Sequence, residues 1–130
     1  MRRVVLYAAL LVLAAILLAG CQGGGGDDPA VAAESYLTAL VEKDADSLAA
    51  LSCAAWEENA ILELDSFQAV EIRLEGMDCQ EAARDGETAV VSCAGSIVAT
   101  YNEEDQQFPL DTRGFAMQRE GGEWRVCGYQ

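Results

Sequence analysis

The sequence predicts an α+β domain in which two or three N-terminal helices pack on one face of a curved, four-stranded antiparallel meander. Three observations carry this expectation. Between Pro29 and Leu62 the apolar residues recur at helical spacing. From Phe67 onward the texture changes to alternating and β-rich runs. Three turn signals, "ARDGE", "NEEDQ" and "EGGE", then divide that second part into strands. Helices followed by strands argue for helices segregated to one face of an antiparallel sheet.

The elements are taken in chain order. Arg2 and Arg3 precede an uncharged run, Val4 to Leu18, built mostly of Leu, Ala and Val. A short basic start, an apolar stretch and small residues at its end are the pattern of a secretory signal. The run falls short of the ~20 residues of a membrane span and ends without a basic stop. At its edge stands "LAGC", which resembles the lipobox of bacterial lipoproteins. That resemblance implies cleavage before Cys21 and acyl chains on its sulfur and amino group. Two or three chains hold a protein on a membrane where one does not. Residues 1–20 therefore read as signal, and 21–28, "CQGGGGDD", as a lipidated flexible tether. The expected location is extracytoplasmic, lipid-anchored to the bacterial membrane or envelope.

Loss of Arg2 and Arg3 leaves six basic residues against 22 acidic ones, a net charge of about −16. Nucleic acid is excluded as a partner, because phosphate binding needs a basic face. Docking on anionic headgroups is excluded for the same reason, so the lipid itself makes the membrane contact. Residues 29–130 have the size of one domain with one core.

In "PAVAAESYLTALVEKD", Pro29 suits a first helical turn, and Val31, Leu37, Leu40 and Val41, with Tyr36 beside them, form an apolar stripe. Asp44 to Asp46 breaks the stripe, and Asp46 or Ser47 can cap a second helix. There Leu48, Leu51, Ala55 and Leu62 recur on one side, with Cys53 and Trp56 adjoining. Val70, Ile72 and Leu74 then alternate with Glu71, Arg73 and Glu75. "ETAVVSCAGSIVATY", "QFPLDTRGFAMQRE" and "EWRVCGYQ" supply three further strands, with bends expected at Gly95 and Gly114.

"AVAAESYLTALVEKDADSLAALSC" followed by a meander ending in "GGEWRVCGY" resembles the nuclear transport factor 2-like superfamily, the cystatin-like cone. The resemblance implies a conical space between helices and sheet, used in the superfamily as catalytic pocket, ligand pocket or filled core. Enzymes of that fold, such as ketosteroid isomerase, set a carboxylate base against Tyr and acid donors. Here Tyr36 lies on the first helix, while Glu63 and Asp65 are only guesses for the base. Tyr36, Trp56 and Trp124 are the candidate pocket residues, each with an ordinary core role as the alternative.

No catalytic residue is assigned, and an enzyme is the less favoured reading. The chain has no histidine, the commonest general base near neutral pH and a common metal ligand. The cysteines lack metal-like spacing, and "NEEDQ" lacks the oxygen pattern of a calcium loop. No metal or cofactor is expected. With Cys21 lipidated, Cys53, Cys79, Cys93 and Cys127 remain, an even set in an exported domain.

The "ARDGE" turn sets Cys79 nearly opposite Cys93, within cross-strand reach. The "NEEDQ" turn sets Cys93 opposite roughly Ala116, and "EGGE" sets Ala116 opposite Cys127. Cys93 and Cys127 are then two strand spacings of ~4.8 Å apart, too far to bridge. The expected bridges are Cys79–Cys93 and Cys53–Cys127. What remains is a tethered module for an unidentified small-molecule or protein partner, with a structural envelope protein or a pocket enzyme as alternatives.

Overall fold

The computed structural model describes residues 26–130. The expected signal segment and Cys21 lie outside them. Helix α1 spans Pro29–Glu42, α2 Ala45–Ala50 and α3 Glu57–Ser66. Strands β1 (Glu71–Asp85), β2 (Thr88–Tyr101), β3 (Glu104–Pro109), β4 (Phe115–Glu120) and β5 (Glu123–Tyr129) follow, with a 3-10 turn at Leu110–Thr112. Among the described residues no helix is long and apolar enough to cross a membrane.

Asp28 caps α1 by accepting from the Ala30 N–H at 2.9 Å, with Pro29 in the first turn. At the other end Lys43 takes a left-handed conformation, φ 59°. Its ammonium donates to the Val70 carbonyl at 2.7 Å, fastening the helix end to the turn before β1. The cap of α2 is Asp44, not Asp46 or Ser47: its carboxylate accepts from the Ser47 N–H and hydroxyl at 3.1 and 2.6 Å. The expected single second helix is two. The chain breaks at Ser52, which bridges Val126 of β5 in parallel, and the Cys53 N–H donates to the Val126 carbonyl at 2.8 Å.

The inward stripe of α1 is Ala33, Tyr36, Leu37 and Leu40, all at most 1% exposed. Val31 does not belong to it. At about 100° per residue it falls on the opposite side of the helix, and it is 46% exposed. Leu62 likewise leaves the core, 61% exposed, because α3 turns Ala60 and Leu64 inward instead.

The sheet runs β1-β2-β4-β5, all antiparallel, with β3 paired to β2 as well. The expected third strand is thus two. Thr88 to Val91 of β2 pair with β4, and Ser96 to Tyr101 pair with β3. The bend in β2 is why one partner cannot follow it throughout. Gly95 sits at φ +93°, opposite a register shift between Glu75 and Asp78. Pro109 then ends β3, and buried Leu110 turns the chain inward. Gly114 lies between that turn and β4 instead of inside a strand, and its backbone pairs with Gln130 at 2.8 and 2.9 Å.

Ala116 accordingly faces Val90, three residues from its expected partner Cys93. The separation of Cys93 from Cys127 is unaffected, because β4 still lies between β2 and β5. Cys79 and Cys93 are direct cross-strand partners and form one disulfide, with Cα atoms 4.0 Å apart. Cys53 and Cys127 form the other, with Cα atoms 5.0 Å apart, joining the α2–α3 connection to β5.

Candidate functional site

Two features at the surface of this core could carry function. The first centres on Glu63 of α3. Its Oε2 accepts from the Tyr129 hydroxyl at 2.6 Å and from the Tyr36 hydroxyl at 3.2 Å. Its Oε1 lies 3.3 Å from Arg113 Nη2. The Trp56 indole N–H donates to the Tyr36 oxygen at 3.2 Å. Edge-to-face contacts among Tyr36, Phe115, Tyr129 and Trp56 wall the group in, and the Arg113 guanidinium stacks 3.6 Å over the Tyr129 ring.

Local sequence explains each position. The α1 stripe delivers Tyr36 inward. Gly128, at φ +134°, lies opposite the register shift of β4. A Cβ at Gly128 would stand 3.5 Å from the Trp56 ring, in ordinary contact, so it is the positive φ that favours glycine there. Burial, and then the charge of Glu63, pushes both phenols well above the ordinary tyrosine range. They remain protonated donors at neutral pH. Glu63 therefore has both oxygens occupied by fixed donors, and its side chain is 17% exposed. Such a carboxylate braces α3 against β5. Three of its roughly four acceptor sites already take a hydrogen bond.

Of the three candidate pocket residues, the structure brings Tyr36 and Trp56 together and leaves Trp124 elsewhere. Trp124 opens β5, is 1% exposed, and has the Arg84 and Arg119 guanidinium groups 5.0 and 5.1 Å from its ring. Its indole N–H has no acceptor among the described residues. Asp65, the other guessed base, is exposed on α3. Tyr129 and Arg113 were not anticipated at all. The signal for Tyr129 was Gly128, since a bulge reverses the inward–outward parity of the residue after it.

The second feature is a groove of about 560 Å³ along the outer side of α1. Val31, Leu51, Met77 and Trp124 give it an apolar lining, and Glu42, Asp44 and Glu123 stand among them. This volume is in the range of small-ligand sites. It lies on the face of α1 opposite the stripe that packs on the sheet. Among the described residues no three carboxylate or cysteine side chains converge to hold a metal ion.

A substitution separates bracing from chemistry at Glu63. Glu63→Ala leaves two buried phenol donors without an acceptor, at a cost of about 1–3 kcal/mol each when unmet. Urea unfolding should show a lowered midpoint for Glu63→Ala and a smaller loss for Glu63→Gln. An unchanged midpoint for Glu63→Ala would contradict the bracing role.

No protein-family profile and no curated protein matches this chain by sequence. Solved structures do. The SEC-C motif containing protein RPA3114 from Rhodopseudomonas palustris superposes with TM-score 0.54 at 12% identity, over 82% of this chain and 78% of that one. A candidate polyketide cyclase from Pseudomonas putida gives TM-score 0.52 at 16% identity, over 81% and 92%. Aln2 from a Streptomyces species gives 0.52 at 17%, over 75% and 82%. At these identities the likeness is one of fold. The class is a small α+β domain with three helices on a curved antiparallel sheet, the architecture implied by the resemblance to the nuclear transport factor 2-like superfamily.

Proposed function

We propose that this chain is an extracytoplasmic module, held on a membrane by lipid at Cys21, that binds a ligand in the outer groove of α1. The observation that carries the binding reading is the groove itself: an open apolar lining with Val31 46% exposed, on the side of α1 away from its buried stripe. The enzyme reading needs a carboxylate free to move a proton, and Glu63 is tied by three donors. Two disulfides accord with an oxidising compartment. "LAGC" and the glycine tether support the anchor.

The neutral dye N-phenyl-1-naphthylamine tests the groove. Its fluorescence should rise on binding to the chain from residue 21 carrying Cys21→Ser, and the rise should be lost in Met77→Glu. A rise that survives Met77→Glu would place the dye elsewhere. Cys21→Ser in the full-length chain tests the tether independently. It should move the protein from the membrane fraction to the soluble one, or leave it as uncut precursor. Unchanged membrane association would overturn the anchor.

A further inference from the structure

The groove along α1 does not stand alone. A second one, of about 570 Å³, adjoins it near the helix N-terminus, and the two share Val31 and Glu34 as lining residues. The second is polar where the first is apolar. Asp27, Asp28, Asp78 and Glu81 line it, and Arg84, already paired to Glu81, is the one cation among the lining residues of either. We propose that the joined grooves take one extended cationic peptide segment with apolar side chains among its basic ones. This deepens the binding reading above and rests on it.

Three observations select that occupant. The sign is set by carboxylates standing along both grooves, complementary to Lys or Arg side chains. The shape is set by their dispersal. No three of the described acidic groups converge on a point that could hold a metal ion, so the field suits charges spread along a chain. The apolar share is set by Val31, Met77 and Trp124, which can receive the side chains between the basic ones.

The test uses the chain from residue 21 with Cys21→Ser and a fluorescein-labelled eight-residue peptide of alternating Leu and Lys. Fluorescence anisotropy should show saturable binding, with none for the matching Leu–Glu peptide. Val31→Lys puts a like charge where the grooves join and should weaken binding about tenfold. Glu42→Lys, at an exposed site on the groove, is a second arm should Val31→Lys fold poorly, and should weaken it as well. Glu104→Gln, on β3, makes the same +1 change as Val31→Lys and should alter binding less than twofold. Equal weakening by Val31→Lys and Glu104→Gln would overturn the proposal, since bulk attraction to an acidic protein would then explain the binding. No peptide binding, with n-hexylamine binding in its place, would overturn it in favour of a small amine. Naphthylamine binding without peptide binding would sink this inference alone, whereas loss of both would sink the groove reading too.

Discussion

Gly95→Ala should destabilise the domain by about 4 kcal/mol or more, among the largest effects open to a single methyl group. The added Cβ would lie 2.5 Å from the Glu75 carbonyl oxygen and 2.6 Å from the Gly76 carbonyl carbon and oxygen. All three are backbone atoms of the neighbouring strand, so no side chain can turn aside. The φ of +93° is itself a conformation that alanine rarely adopts. Relief requires β1 and β2 to separate where the sheet bends, next to the Cys79–Cys93 bridge. Gly121→Ala supplies the contrast. It also has positive φ, +61°, but its Cβ would meet nothing within 4 Å, so about 1 kcal/mol of backbone strain is expected. Urea unfolding of both variants checks the pair. Equal midpoints would contradict the close approach at Gly95.

Removing the Cys53–Cys127 bridge should cost roughly 4 kcal/mol. The bridge spans 74 residues of sequence, and loop entropy makes long closures the more stabilising ones. The Cys79–Cys93 bridge spans 14 and should contribute roughly 3 kcal/mol on the same relation. The longer bridge also tethers the α2–α3 connection to β5, where the Ser52–Val126 bridge with its flanking backbone bonds, the Arg125 hydrogen bond to the Ala50 carbonyl and the Trp56–Tyr129 contact would remain. The double variant Cys53→Ser, Cys127→Ser should therefore unfold at markedly lower urea than Cys79→Ser, Cys93→Ser. The reverse order would contradict loop length as the governing quantity.

These two predictions differ in how far the sequence foretold them. The "ARDGE" turn fixes the β1–β2 register, so the facing of Cys79 and Cys93 was readable from local signals. The division of the third strand was not. "QFPLDTRGF" alternates well enough to pass as one strand, and only the bend at Gly95 makes two partners necessary for β2. The helices were legible as amphipathic segments, but the stripe was drawn too widely. Val31 and Leu62 are apolar and near helical spacing, yet both face outward.

The Glu63 group was half visible. Tyr36 follows from the α1 periodicity. Glu63 was one of two guesses on α3, and nothing local separates it from Asp65. Tyr129 depends on a strand bulge, and Arg113 on the turn ahead of β4. The groove was least legible of all, because α1, α2, β1 and β5 meet there from both ends of the chain. Contacts of that kind are set by packing, and no window of sequence encodes them.

The two tryptophans offer the most direct measurement. Trp124 lines the outer groove, whereas the Trp56 indole donates to Tyr36 within the braced core. A ¹⁵N–¹H correlation spectrum of the chain from residue 21 with Cys21→Ser shows two indole resonances, one from each. On titration with N-phenyl-1-naphthylamine, the outer groove as binding site predicts that the Trp124 indole peak and the Val31 and Met77 amides move while the Trp56 indole peak stays fixed. Movement of the Trp56 indole peak with Trp124 unchanged would place the ligand in the cone and contradict the account.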